Sequence, residues 1–330
     1  MKVLVTGATG FIGSHAADAL ERAGHDVIGL SRSRPGSAGL RQNRRWVFGD
    51  LRRPKGVPHR SVRADAVVHC AGRLPGVDAP PAPDATSAAE TRGAITIAIG
   101  AGADRFVHVS SLAVCDPPNP NGVLDERSAL SERPPSWHYY ARSKIAEERA
   151  VRGAHDRGSI SAVILRPGIA FGPGDRHATP LFLRMLAAPV GFYVGNGNNA
   201  VASLVVEELA EAVARAATRG GIDGRCYPLA GRARVTQRDL FRMHARERGA
   251  FRPRACLPRW LALRVVDWMD RFGHAGGRRN SSVTRIGAWI VGTASPVDCG
   301  AAAADLDWKG DRSVADAIAR SIGAIAEGRP

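Results

Sequence analysis

The sequence predicts an α/β protein in which a doubly wound parallel sheet is joined to a smaller C-terminal α+β lobe. Three observations predict it. Short apolar runs alternate with helix-spaced stretches through the first half of the 330 residues. Gly7, Gly10 and Gly13 fall between the first apolar run and the first helical stretch. Beyond residue 167 the pattern changes to short strands interleaved with helices.

The elements follow in order. Residues 2–6 (KVLVT) read as a buried strand, and 11–23 as a helix ending at Gly24, with apolar Phe11, Ile12, Ala16, Ala19, Leu20 and Ala23. A second strand covers 26–30, and further strands cover 45–48, 65–69, 105–109 and 161–165. Helices fit about 85–101 and 140–154. This alternation implies right-handed crossovers and a parallel sheet. The stretches 75–83 and 116–136 read as irregular connections on the side where such sheets bind ligands. In the second half, strands are expected near 192–194, 203–206 and 225–229. Helices are expected at about 207–218, 235–247, 258–272 and 312–326. Residues 1–166 thus read as a nucleotide-binding domain and 167–330 as a substrate lobe interleaved with it.

Composition narrows the class. With 44% hydrophobic and 23% charged residues, the chain belongs among globular proteins. Its formal charge is +15, and 42 of the 46 basic residues are arginine. The arginines are scattered, with short clusters at Arg41/Arg44/Arg45, Arg52/Arg53 and Arg278/Arg279. That pattern favours solvated faces and anionic small ligands over nucleic acid, which selects a stripe or tail. Cys70, Cys115, Cys226, Cys256 and Cys299 are odd in number, lack CxxC spacing and have no His cluster nearby. No metal site or disulfide framework is therefore expected, and a reducing compartment fits. The first strand runs directly into the glycine motif, leaving no room for a signal peptide, and no apolar run reaches membrane-spanning length. The expectation is a cytoplasmic protein without stable membrane insertion.

The glycine cluster is read as a dinucleotide site. Gly7 permits the tight turn, Gly10 a close backbone approach to a pyrophosphate, and Gly13 packing of helix on strand. The N–H groups of the helix start face the phosphates. Its position after a buried strand and before a helix makes the signal specific. Tyr140 and Lys144, in YYARSK, lie four residues apart on a predicted helix and so share one face. Free tyrosine, with a pKa of about 10, is a poor base at neutral pH, and a lysine ammonium nearby favours its ionised form. Such a pair suits proton transfer at a substrate oxygen.

TGATGFIG resembles the TGxxGxxG fingerprint of the extended short-chain dehydrogenases/reductases. That family includes nucleotide-sugar epimerases, dehydratases and 3β-hydroxysteroid dehydrogenase-like enzymes. The resemblance runs along most of the chain and implies a Rossmann-type sheet. It assigns Gly7, Thr9, Gly10, Phe11, Ile12 and Gly13 to the cofactor. GDL (Asp50, Leu51) resembles the segment that contacts adenine. VVHCAG, ending in Ala71 and Gly72, resembles the strand-four segment lining the cofactor. RFVHVSS resembles the strand carrying the catalytic serine, here Ser111, with Ser110 as the fallback. Tyr140 and Lys144 match the catalytic pair and also hold the cofactor, while Tyr139 reads as a packing residue. LRPGIAFGPGD resembles the loop linking the lobes; it adds Pro167 and Gly168 to the cofactor set and gives Arg166 a structural or substrate-facing role.

At the end of strand two, Ser31 stands where NAD-using members carry Asp, with Arg32 next and Arg34 near. The resemblance therefore implies NADP(H), with NAD as the alternative. Cys115 replaces a tyrosine that often lines the substrate pocket, and around Ser87–Thr91 only Thr91 of the usual order is kept. These departures bear on the substrate. FYVGNGNN and LPRWLALRVVDWMDRFG (Leu257–Gly273) resemble segments of the 3β-hydroxysteroid dehydrogenase-like members. The latter reads first as a helix packed on the small lobe, with an apolar lid and a membrane-surface contact as alternatives; the protein is expected to stay in solution with anionic liposomes. The implied activity is hydride transfer between a secondary alcohol and a ketone. The alternative is a nucleotide-sugar epimerase, and Leu112–Ala113 supply no acid–base pair for a dehydratase. Dimerisation through the helices before the serine strand and carrying the tyrosine is implied as well.

Overall fold

The structure, a computed structural model, describes residues 1–33, 44–58, 62–72, 83–116, 122–187, 192–249, 255–272, 281–293 and 295–328. Arg34, Arg41, Arg278, Arg279, Gly273 and most of the predicted loop at 75–83 lie outside them. A parallel sheet of seven strands forms the centre, in the order β10-β6-β5-β4-β1-β2-β3. Its strands are β1 (Lys2–Thr6), β2 (Asp26–Ser31), β3 (Arg45–Phe48), β4 (Ala66–His69), β5 (Arg105–Val109), β6 (Ser161–Pro167) and β10 (Cys226–Leu229). The strand order reverses between β1 and β4, the point at which open sheets of this kind bind ligands beyond the carboxyl ends of their strands.

Strand alternation divides the core. Val3 and Val5 of β1 join one buried cluster, with Ala16 and Leu20 of α1 (Phe11–Arg22) and Leu209 and Val213 of α5 (Val206–Thr218). Leu4 joins the opposite cluster, with Ile97 of α2 (Pro83–Ala101) and Val151 of α3 (Tyr139–Asp156). Both faces are covered, so the strands read as nearly continuous apolar runs. α1 packs on α5, and α2 packs on α3. β10 pairs with β6 through Cys226↔Ile164 to Leu229↔Pro167. The chain thus returns from residues beyond 167 to complete the central sheet and one helix layer.

The rest of the second half builds a third core around Phe171, Phe182, Phe241 and Val266. It contains β7 (Ile169–Phe171), α4 (Ala178–Ala187), β8 (Phe192–Val194), β9 (Ser203–Val205), α6 (Gln237–Arg248), β11 (Ala255–Leu257), α7 (Arg259–Phe272), α8 (Ser281–Val291) and α10 (Val314–Ala326), whereas α9 (Gly300–Leu306) buries Ala302 and Leu306 in the cluster of Val3 and Val5. Pairs β7–β9 and β8–β11 are parallel. Thr236 and Asp239 form a capping box that starts α6, and Gly249 in the left-handed region ends it. Sequence reading did not anticipate α4, α8 and α9, nor the three-residue strands β7 and β11. Elements this short carry too little period for a pattern to register.

Candidate active site

The turn after β1 is shaped by backbone contact. Gly7 has φ +70°, and a Cβ there would lie 2.7 Å from the Ala71 nitrogen, so the turn sits directly on the end of β4. A Cβ on Gly13 would fall 2.1 Å from the Gly7 carbonyl oxygen, which fixes how closely α1 approaches β1. Gly10 caps α1 without a side-chain hydrogen bond, and no acidic residue occupies its first turn. The first N–H groups of α1 are thereby left to an anion, and the helix dipole favours one there. This arrangement fits a dinucleotide pyrophosphate. Thr9 is exposed on the turn.

At the carboxyl end of β2, the Ser31 hydroxyl donates to the Ser33 carbonyl at 2.8 Å, and Arg32 is exposed. Asp50 accepts from Arg52 Nη2 at 2.7 Å. This bond, with Arg32 contributing, holds the Asp50 carboxyl down to about 2. The residue expected at adenine is therefore an anion already engaged by arginine. Leu51 is buried beneath it.

Ser111 ends the extended segment after β5 and caps the short helical turn Leu112–Val114, accepting from the Ala113 N–H at 3.2 Å. The Ser110 hydroxyl instead donates to Glu148 Oε2 at 2.9 Å inside the protein. Glu148 also pairs with Arg166, whose Nη2 donates to Oε1 at 2.6 Å, and with Arg152 at 2.8 Å. Arg166 is 1% exposed and donates to the Ser128 carbonyl at 2.6 Å and to Cys115 Sγ at 3.3 Å. It ties β6 to α3 and to the loop before it.

Helix α3 carries Tyr140 and Lys144 on one face, as the spacing predicts. His138 caps this helix, its Nδ1 accepting from the Ala141 N–H at 3.3 Å. Lys144 is buried, and a Cβ on Gly72 would lie 3.1 Å from its Nζ. That nitrogen donates to Glu147 Oε2 at 2.9 Å and to the Val109 carbonyl at 3.1 Å. Burial works against the Lys144 charge, but Glu147 and Tyr140 outweigh it and hold the ammonium above its ordinary range. Burial in turn pushes the Glu147 carboxyl up, with Lys144 opposing. Behind this pair, His69 and His108 stack at 5.5 Å, and burial drives the His69 imidazole down to about 3. His69 lies 2.7 Å from Thr6 Oγ1 and 3.2 Å from Thr91 Oγ1, which accounts for Thr91.

A cavity of about 270 Å³ brings Phe11, Ile12, Ser111, Tyr140, Pro167 and Gly168 together. Its far wall is Leu181 and Phe182 of α4 with Ile286, Trp289 and Ile290 of α8. Cys115 and His138 also border it. Helix α8 therefore roofs the cavity, while α7 packs on α8 and leaves Trp260 and Trp268 exposed. Sequence reading had considered α7 for that part; the apolar run AWIV (Ala288–Val291) was the available signal. Among the described residues, none lining the cavity is Lys or Arg, and no cluster of three metal-ligating side chains occurs. Ser31, Arg32, Asp50 and Leu51 do not border the cavity; they sit by the far strands β2 and β3.

A nucleotide-cradling turn at the sheet's reversal, leading into a cavity that holds serine and tyrosine, defines an α/β enzyme of dinucleotide chemistry. The comparisons agree. The NAD dependent epimerase/dehydratase family matches residues 3–229, and the chain belongs to that family. It is 32% identical to a 3-diazoavenalumate denitrifying reductase of Streptomyces sp over 81% of this chain and 88% of the relative. It is 35% identical to a ceramide reductase of Caulobacter vibrioides over 63% of this chain, a match spanning 58% of that protein. A match to a 2-alkyl-3-oxoalkanoate reductase of Stenotrophomonas maltophilia likewise spans 63% of that relative. Among solved structures, gox2253 superposes with a TM-score of 0.78 at 27% identity, covering 99% of this chain and 98% of the other. A UDP-glucuronic acid 4-epimerase from Bacillus cereus, in complex with NAD, shares the fold with a TM-score of 0.73 at 20% identity, each chain fully covered.

Proposed function

We propose that this chain is an NADP(H)-dependent oxidoreductase interconverting an apolar ketone and its secondary alcohol. The observation that carries this reading is the cavity beside Ser111 and Tyr140, walled by Leu181, Phe182, Ile286, Trp289 and Ile290 and bordered by no described Lys or Arg. Apolar walls with a few polar groups at one end suit a hydrophobic carbonyl compound. A nucleotide diphosphate would bring two charged phosphates into a place where no described Lys or Arg meets them. This weighs against the nucleotide-sugar epimerase reading. The reductase names of several relatives point the same way.

In this reading NADP(H), when bound, supplies or accepts the hydride. Gly7, Thr9, Gly10, Phe11, Ile12 and Gly13 hold its pyrophosphate, Ala71, Gly72, Pro167 and Gly168 its nicotinamide side, Asp50 and Leu51 its adenine side, and Ser31 and Arg32 its 2′-phosphate. Ser111 hydrogen-bonds the substrate carbonyl and orients it. Tyr140 gives its proton to that oxygen in reduction and takes it back in oxidation. Lys144 holds the ribose hydroxyls and keeps a positive charge beside Tyr140. Residues 167–330 serve as the substrate lobe. The reading includes a cytoplasmic homodimer joined through α2 and α3. Among the described residues no helix is long and apolar enough to cross a membrane.

The test is the dinucleotide itself. Protein purified with gentle desalting should be free of stoichiometric NAD, bind NADPH more tightly than NADH, and oxidise NADPH when given medium-chain ketones. Stoichiometric retained NAD with turnover of a UDP-sugar would replace this reading with the epimerase one.

A further inference from the structure

The Tyr140–Lys144 pair has a third charged neighbour that its four-residue spacing does not announce. Glu147 lies three residues beyond Lys144 and seven beyond Tyr140, so the helix carries all three on one stripe. Its side chain is 2% exposed, and that of Lys144 is 10% exposed. An ammonium has three N–H donors. Two are committed inside the protein, to Glu147 Oε2 at 2.9 Å and to the Val109 carbonyl at 3.1 Å. One remains. A lysine buried without an anion loses its charge readily, and a buried carboxylate without a cation regains its proton. Here each partner opposes the desolvation of the other, fully at Lys144 and in part at Glu147.

We propose that Glu147 is a positioning residue, clamping the Lys144 ammonium against Val109 so that it stays charged and presents its one free N–H to the reacting groups. This rests on the hydride-transfer reading only for its catalytic consequence; the clamp itself does not depend on it.

The surroundings favour a fixed pair. Glu147 faces Ser87 and Glu90 from α2, and His108 from β5, whose Nε2 lies 3.7 Å from Glu147 Oε2. His108 and His69 are both held neutral by burial, with the Lys144 charge adding to the effect. Lys144 additionally faces Tyr140 on its own helix and Cys70 after β4, whose thiol burial pushes up to about 12. Glu147 is therefore the anion that matches Lys144, because Glu148 is engaged by Arg152 and Arg166.

The sign of the pH effect follows. Glu147 raises the pKa of Lys144, so removing its charge lets the lysine deprotonate at lower pH. Only four lysines occur in the chain, so ¹⁵N-lysine NMR can follow each ammonium, with Lys144→Arg assigning the signal. In the unaltered protein, Lys144 should remain an ammonium above the ordinary lysine range. In Glu147→Gln the Lys144 transition should fall by about one pH unit or more. The alkaline limb of kcat/KM should move down with it, and the KM for NADPH should rise several-fold. Glu147→Asp should restore part of both. A Lys144 that titrates below the ordinary lysine range in the unaltered protein overturns the clamp, as does a Gln variant with unchanged Lys144 titration and an unchanged alkaline limb. If the NMR shift is found but no ketone is reduced by the unaltered protein, the clamp stands and the functional reading falls.

Discussion

The rings of Trp137 and Trp289 meet edge to face with their centroids 5.4 Å apart, joining the segment before α3 to the roof of the cavity. Arg259 lies over the Trp289 ring at 4.4 Å and Arg285 over the Trp137 ring at 4.5 Å, so each indole face carries a guanidinium. Trp137 also stacks on His138, the cap of the helix bearing Tyr140. The roof and the reactive helix are thus one packed unit.

Trp289→Ala should loosen this unit without touching the proton chemistry. Losing the half-buried ring and its aromatic and cation–π contacts should cost about 1–3 kcal/mol. The KM for an apolar ketone should rise about tenfold while kcat changes little, since the lost contact is made in ground and transition state alike. Steady-state kinetics with a chain-length series checks it. An unchanged KM would mean that Trp289 does not border the bound substrate.

Tyr140→Phe keeps the ring and removes the proton donor. Turnover should fall at least about a hundredfold, while NADPH affinity by fluorescence titration stays within a few-fold. Near-normal turnover would remove Tyr140 from the catalytic role.

Arg32→Ala tests the source of cofactor preference. An arginine–phosphate contact of about 1.5–3 kcal/mol corresponds to roughly a ten- to 150-fold loss in NADPH affinity, with NADH little affected. The ratio of the two dissociation constants is the readout. An unchanged ratio would assign Arg32 to the solvated surface.

Acid should destabilise the protein earlier than its carboxylates alone would. Burial lowers the His69 imidazole to about 3 and those of His138 and His244 to about 4, against an ordinary value of 6.5. Below that ordinary value the unfolded chain takes up protons that the folded chain refuses, so stability falls as pH drops from about 6.5 towards 4. The melting temperature should decline across this window. In His69→Asn, which keeps polar contact with Thr6 and Thr91, the decline should be shallower. Equal slopes would remove His69 from the account.

The central sheet was legible because buried parallel strands are continuous apolar runs, and the YYARSK spacing placed Tyr140 and Lys144 on one face. The glycine turn was legible for a similar reason: its conformation demands a residue type. The roof was not. Ile286, Trp289 and Ile290 border the cavity only through tertiary packing, and a helix of eleven residues among glycines and arginines gives little period to read. Glu147 was passed over because YYARSK points to Tyr140 and Lys144, whereas the carboxylate acts through a contact three residues further on. Arg166 could be placed on β6 from the sequence, but its partner Glu148 could not.

The pairing of β10 with β6 bears on how the chain reaches this fold during synthesis. When residue 167 has been made, β6 has an open edge along Ile164–Pro167, and α1 lacks the cover of α5. Both are completed only once residue 229 is available. At about 5–20 residues per second this interval lasts several seconds. An apolar edge strand waiting that long is a template for pairing with other nascent chains. The yield of native protein should therefore depend on chaperones that shield the nascent edge until the second half arrives.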